Sequence, residues 1–302
     1  MMTNRSEADA AKSGIVVIDK PAGWTSHQVV ATIRRLAGTR KVGHAGTLDP
    51  MATGVLVIGI DKATRLLGYL AVTEKAYQAT IRLGVSTVSD DAEGDVTAMA
   101  GARGMTDDQI ETALARFRGQ LMQVPSAVSA IKIDGVRSYA KVRSGQGVDL
   151  APRPVIINRF EVVGRSNLEV DGVAVVDLEV IVECSSGTYV RALARDLGSI
   201  LRTGGHITAL RRTRVGAFGS EQVQTLQEAQ RELKIVPLDR IVRECFAILT
   251  VTETQASYIR NGRRLVGVML PDPTTAMINE TGQFLALYRQ AGPDAVAKAV
   301  FV

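Results

Sequence analysis

The segment Gly43-His44-Ala45-Gly46-Thr47-Leu48-Asp49-Pro50, followed by Thr53-Gly54-Val55-Leu56-Val57-Ile58-Gly59-Ile60, constrains this chain more than any other. The apolar run reads as a buried strand bounded by glycines. Pro50 pushes Asp49 away from helical φ/ψ, which places its carboxylate in a loop. Gly43, Gly46 and Gly54 permit tight turns and close approach of a ligand to the backbone. One aspartate held this way, with His44 upstream, suits nucleophilic or acid/base chemistry. The same residue types also make an ordinary Asp-Pro turn beside a strand.

Around this segment the pattern alternates strands with helices. Ile15-Val16-Val17-Ile18 is a short strand ending at Lys20-Pro21. Thr25 or Ser26 can cap a helix that buries Val29, Ile33, Leu36 and Ala37. A helix is expected over roughly 62–70, capped by Asp61. Tyr77, Ala79, Ile81 and Leu83 alternate with polar residues, as in a half-buried strand. Residues 86–104, rich in Ser, Asp, Gly and Thr, read as an exposed loop. Thr106 caps a helix carrying Ile110, Leu114, Phe117 and Leu121. From 125 to 154 regularity fails, and Lys132, Arg137, Lys141, Arg143 and Arg153 are scattered among Gly, Ser and Pro. That segment reads as an insertion projecting from the core. Strands resume over 160–163 and 173–182, and Ser185–Thr188 leads into a helix bearing Leu193, Leu197, Ile200 and Leu201. A short helix covers 226–233, and a linker begins at Pro237-Leu238. Beyond about Cys245, short β segments with turns at Asn261-Gly262 and Thr281-Gly282 suggest a small, mostly β module.

The expected architecture is α+β: a mixed, largely antiparallel sheet with packed helices, spanning 14–240 and interrupted by the insertion at 125–154. A small β-rich module occupies 245–302, and residues 1–13 form a disordered tail. A chain of 302 residues has room for both units.

Composition narrows the partners. The 36 Lys and Arg against 31 Asp and Glu give a formal charge of +5, which mildly favours a polyanion. The two cysteines, Cys184 and Cys245, follow no metal or disulfide spacing, and three histidines in the whole chain make a zinc cluster improbable. The polar start carries no apolar signal-peptide core, and no window reaches the length of a membrane helix. A cytoplasmic protein is expected.

The string GHAGTLDPMATGVL, preceded by DKPAGWTSHQVV, closely resembles the TruB family of tRNA pseudouridine synthases. Those enzymes isomerise uridine 55 in the T-arm of tRNA. Separate matching blocks run from about Gly14 to Gly219 and include Glu74-Lys75-Ala76-Tyr77, Ser186-Gly187-Thr188-Tyr189-Val190-Arg191 and Ala209-Leu210-Arg211-Arg212-Thr213. The resemblance implies the pseudouridine synthase fold with a PUA-like C-terminal domain. It implies tRNA as partner, without cofactor, metal, guide RNA or obligate protein partner.

It also implies roles. Asp49 matches the catalytic aspartate. Arg191 would pair with it, holding it ionised and oriented; an arginine at a helix start opposes the helix dipole and so points to a partner elsewhere. Tyr77 would stack on the flipped base, Tyr189 would line the pocket and Leu210 would pack on the base. His44 would support the base flip by stacking, and Lys20 would pack beneath the site. Lys132, Arg137, Arg211 and Arg212 would meet RNA phosphates, which carry most of the affinity in such complexes. Val128 and Lys141-Val142-Arg143 depart from the family pattern within the insertion. The residues alone leave other readings open: an RNA-folding chaperone without chemistry, or a catalytic subunit guided by a separate RNA.

Overall fold

The computed structural model describes residues 13–127, 132–133, 136–137 and 150–302. Most of the expected tail, and within the insertion Val128, Lys141, Arg143 and the side chains of Lys132 and Arg137, lie outside the described residues.

Strand β1 (Gly14–Lys20) leads to helix α1 (Ser26–Ala37), then β2 (Val42–His44) and β3 (Thr53–Ile60). A 3-10 turn over Asp61–Leu66 continues into α2 (Leu67–Ala71). Next come β4 (Lys75–Leu83), the small hairpin β5 (Val85–Thr87) and β6 (Val96–Met99), and α3 (Asp107–Ala115). β7 (Gly119–Gln123) precedes a minimal pair, β8 (Lys132–Ile133) and β9 (Val136–Arg137). The long strands β10 (Arg153–Val170) and β11 (Val173–Cys184) form one extended hairpin before α4 (Val190–Ile200). β12 (Gly205–Val215), β13 (Phe218–Gly219), α5 (Leu226–Arg231) and β14 (Val236–Pro237) close the large unit.

The large sheet runs β14-β1-β3-β12-β4-β11-β10-β7. Every pairing in it is antiparallel except β3 with β12, so the expected mixed, largely antiparallel sheet is present. One edge of β3 is shared: β12 pairs at Thr53 and Gly54, whereas β2 pairs at Ile58 to Ile60. The Asp49 loop emerges where these two neighbours part. Gly54 makes this junction possible. Its φ is +98°, and a Cβ there would lie 2.2 Å from the Arg212 carbonyl oxygen, so no other residue fits.

Alternation along β1 gives the sheet two cores. Val16 and Ile18 face α1, joining Val29 and Ile33, in a cluster that extends to Leu193 and Leu197 of α4. Ile15 and Val17 face the other way, toward Ile241 and Val242. These last belong to α6 (Leu238–Cys245), which replaces the expected linker. Ile241 and Val242 are fully buried, with Leu238 and Cys245 partly buried beside them, and that burial explains why the segment is ordered. Beyond it lie β15 (Ala247–Val251), α7 (Glu253–Arg260), β16 (Thr275–Asn279), β17 (Phe284–Ala291) and β18 (Asp294–Val300). They form a separate sheet ordered β15-β16-β17-β18. Phe284, Leu287 and Phe301 share the cluster of Ile15 and Val17, so the small module docks on the large one through a common apolar seam. Helix α7, with its Thr252 capping box, was not foreseen in a segment read as short β strands joined by turns.

Other local expectations divide. Thr25 and Thr106 cap α1 and α3, each in a full capping box. Asp61 caps nothing: it sits at φ +51° and accepts a hydrogen bond from Thr39 Oγ1 at 3.0 Å. The stretch 86–104 is not an exposed loop. Ser89, Asp90 and Asp91 are buried in it, and the Asp90 carbonyl accepts from Ile207 N of β12 at 3.0 Å. Among the described residues no helix is long and apolar enough to cross a membrane.

Candidate active site

The Asp49 turn is braced from two sides. On one, the Lys20 ammonium donates to the carbonyls of Pro21 (3.0 Å), Trp24 (2.6 Å) and Pro50 (3.0 Å). Gly23 N donates to Pro50 O at 2.9 Å. Ser26 is no cap; its Oγ donates to Leu48 O at 3.1 Å and accepts from Leu48 N at 2.9 Å. The Lys20–Ser26 block therefore acts as a clamp on the loop that carries Asp49. All three Lys20 protons are engaged, which only the ammonium can satisfy. Burial nevertheless lowers its pKa to about 8, partly offset by the nearby Asp49 charge.

On the other side stands Arg212, and here the expectation of a phosphate-binding surface residue fails. Arg212 is 1 % exposed. Its Nε donates to Val55 O at 2.8 Å, Nη1 to Thr47 O at 3.3 Å and Nη2 to Gly46 O at 3.1 Å. The guanidinium ties β3 to the turn from within. Neighbouring Arg211 faces outward and pairs with Asp19 at 2.7 Å.

The loop delivers Asp49 to Arg191. Arg191 Nε lies 3.0 Å from Asp49 Oδ2, with the arginine side chain 5 % exposed and the aspartate 36 %. Arg191 Nη1 donates to Asp91 Oδ2 and to Ser89 O, both at 2.9 Å. The partner anticipated from an arginine in the first turn of α4 thus exists, and there are two. Asp91 is one residue that sequence reasoning missed. It is itself held by Ser89 Oγ at 2.6 Å and Glu93 N at 3.0 Å. A polar, turn-rich composition concealed a buried carboxylate.

A cavity of about 320 Å³ opens beside the pair, with Asp49, Lys75, Tyr77, Tyr189, Arg191 and Leu210 in its wall. Tyr77 is 7 % exposed. Burial raises its phenol pKa, so at neutral pH it is an uncharged ring with a proton to share. Tyr189 is fixed at its backbone by Gln123, which accepts from Tyr189 N at 2.8 Å and donates to Tyr189 O at 3.1 Å. Lys75, not anticipated, donates to Ala71 O at 2.8 Å and Thr73 O at 2.9 Å. Burial, then the Arg212 charge, lowers its pKa to about 8. A larger recess of about 520 Å³ shares Leu210 but lacks the Asp49–Arg191 pair.

His44 and Lys20 are outside the cavity wall. His44 ends β2 with its ring edge-on to His27, centroids 5.8 Å apart. Burial, with the His27 and Arg212 charges adding to it, lowers its pKa, and its Nδ1 is buried without a hydrogen-bond partner among the described residues. Cys184 and Cys245 are unpaired thiols. Among the described residues no three His, Cys, Asp or Glu side chains converge as a metal-binding group.

The chain is similar to known proteins over nearly its whole length. The profile of the TruB family pseudouridylate synthase N-terminal domain matches residues 34–190, and that of the tRNA pseudouridylate synthase B C-terminal domain matches 191–245. A tRNA pseudouridine synthase B of Paenarthrobacter aurescens is 52 % identical, covering 96 % of this chain and 95 % of its own. Its counterpart in Cutibacterium acnes is 54 % identical, covering 92 % and 93 %. Among solved structures, an H/ACA ribonucleoprotein bound to a substrate RNA containing 2′-deoxyuridine aligns with a TM-score of 0.70. It is 25 % identical and covers 98 % of this chain and 87 % of that one. Matched by both domain models and about half identical to these relatives over nearly its whole length, the chain belongs to the TruB family of pseudouridylate synthases.

Proposed function

We propose that this protein converts uridine 55 in the T-arm of tRNA to pseudouridine, with the target base flipped out of its stack into the cavity beside Asp49. The observation that carries the reading is the Asp49–Arg191 contact at 3.0 Å in the wall of that cavity. Asp49 is the single carboxylate among the described residues lining it. The 50–54 % identity to tRNA pseudouridine synthases over nearly the whole chain supports tRNA as the substrate class.

The isomerisation breaks the bond from ribose C1′ to N1 and joins C1′ to C5. The C5 proton departs and N1 ends protonated, so atoms balance within the nucleoside and no cofactor is called for. A target stacked inside folded RNA must first be extruded. Asp49 then acts as the nucleophile at C6 or C1′, or removes the C2′ proton to give a glycal. Arg191 orients the carboxylate in each case. Tyr77 and Leu210 cover the base, Tyr189 walls it, and His44 supports the extruded strand. The freed uracil must turn in place, and a walled cavity keeps it from leaving.

The protein acts alone in this reading, without guide RNA. Mapping pseudouridine on an unmodified tRNA transcript, and on a bare T-arm stem-loop, tests it. Modification at position 55 of both supports the reading. Modification elsewhere, or only with an added guide, overturns it.

A further inference from the structure

The cavity's Tyr189 is held by a second group besides Gln123. The Arg153 guanidinium lies over the Tyr189 ring, 4.5 Å from its centroid. Arg153 and Gln123 are directly paired in register on β10 and β7. One residue therefore fixes the tyrosine backbone while its cross-strand neighbour covers the ring.

One edge of the Arg153 guanidinium is unspent. Its Nε and Nη2 are both buried and have no hydrogen-bond partner among the described residues. These two nitrogens share one edge of the guanidinium, the edge that offers two parallel N–H groups to a pair of oxygens. Arg82 uses the same edge in full, donating from Nε and Nη2 to the two oxygens of Asp177, each at 2.7 Å. Buried donors left unpaired are costly, so Arg153 favours any state that supplies acceptors.

We infer that the Nε–Nη2 edge of Arg153 seats a phosphate of the RNA backbone next to the nucleotide taken into the Asp49 cavity. A phosphodiester presents two oxygens at the spacing of this fork, whereas a uracil carbonyl presents one. Tyr189 is part of the cavity wall and Arg153, outside that wall, lies over the tyrosine ring, so a phosphate on Arg153 would sit beside the wall, near the backbone of an extruded nucleotide. Seating it presses the guanidinium on Tyr189 and so positions the ring that walls the base. The inference rests on RNA being the substrate.

Synthetic T-arm stem-loops carrying one neutral methylphosphonate test it, placed either 5′ or 3′ of the target uridine. The adjoining 2′-hydroxyl is methylated in both probe and phosphodiester control to prevent strand cleavage. Dissociation constants are measured for the unaltered protein, Arg153→Lys and Arg153→Ala. A charge-assisted bidentate contact predicts roughly tenfold weaker binding of the unaltered protein to one of the two probes. Arg153→Ala binds the control roughly tenfold more weakly and loses at most about twofold more on that probe. Arg153→Lys, keeping the charge but not the fork, shows an intermediate penalty. Equal penalties in all three proteins at both positions overturn the inference, since lost support of Tyr189 alone cannot change the response to one phosphate. Binding is read without turnover, so absence of pseudouridine on an unmethylated stem-loop with the unaltered protein counts against the proposed function instead.

Discussion

Arg191 bridges Asp49 at 3.0 Å and Asp91 at 2.9 Å, so the carboxylate in the cavity is aimed through an arginine anchored from behind. Both members of the Arg191–Asp91 contact are 5 % exposed at the side chain. Removing one partner of such a buried pair typically costs about 3 kcal/mol. Asp91→Ala is expected to lower the melting temperature by about 5–10 °C and the single-turnover rate at least tenfold. Asp91→Asn keeps the shape and should restore most stability but little rate. Calorimetry with rapid-quench assays of both variants checks this. Full activity in Asp91→Ala would show that Arg191 needs no second anchor.

Arg211 and Arg212 are sequence neighbours with opposite surroundings. Arg212 is buried on three carbonyls, whereas the Arg211–Asp19 pair is partly solvated. Arg212→Ala is expected to destabilise by about 3 kcal/mol or more by orphaning those carbonyls. Arg211→Ala should cost no more than about 1 kcal/mol. Urea unfolding of the two variants decides it, and equal costs would contradict the assignment of Arg212 as an internal brace.

Gly54→Ala forces a Cβ to 2.2 Å from the Arg212 carbonyl at φ +98°. Gly23 has a similar φ of +77° but open space where a Cβ would go. Gly23→Ala is expected to cost about 1–2 kcal/mol, and Gly54→Ala to prevent β3 from joining β12. Soluble yield and circular dichroism of the pair separate backbone strain from steric exclusion. A well-folded, active Gly54→Ala protein would contradict the junction described here.

Lys75 gives a pH signature. Its folded pKa is near 8, against 10.5 ordinarily. Between these values the unfolded chain holds more protons than the folded one, so this group makes stability rise with pH. The neutral amine still has two N–H groups for its two carbonyl acceptors. The stability of the unaltered protein minus that of Lys75→Met is therefore expected to grow between pH 8 and 10. A difference that stays flat or shrinks over that range, in denaturant titrations, would contradict it.

Where one physical signal decided an element, it was legible in the sequence. The alternation of Tyr77, Ala79, Ile81 and Leu83 gave β4, and Thr25 and Thr106 announced two helices. The Asp49 turn was legible through Pro50 and its glycines. The buried polar groups were not. Asp91 lies among Ser, Asp and Gly that compose solvent loops elsewhere, and its charged partner, Arg191, is distant in sequence. Arg212 left a trace that could have been followed: it stands two residues from buried Leu210 on one strand and so on the same face. Helices α6 and α7 were obscured because each is a short amphipathic segment whose order comes from packing under a sheet.

The central claim is that the Asp49 carboxylate carries out the isomerisation. Its most direct test is pseudouridine mapping at position 55 of an unmodified tRNA transcript, with the unaltered protein and with Asp49→Asn, alongside transcript affinity. Complete modification by the first and none by the second, at affinities within about threefold, is the predicted result. Ordinary turnover by Asp49→Asn would contradict the account.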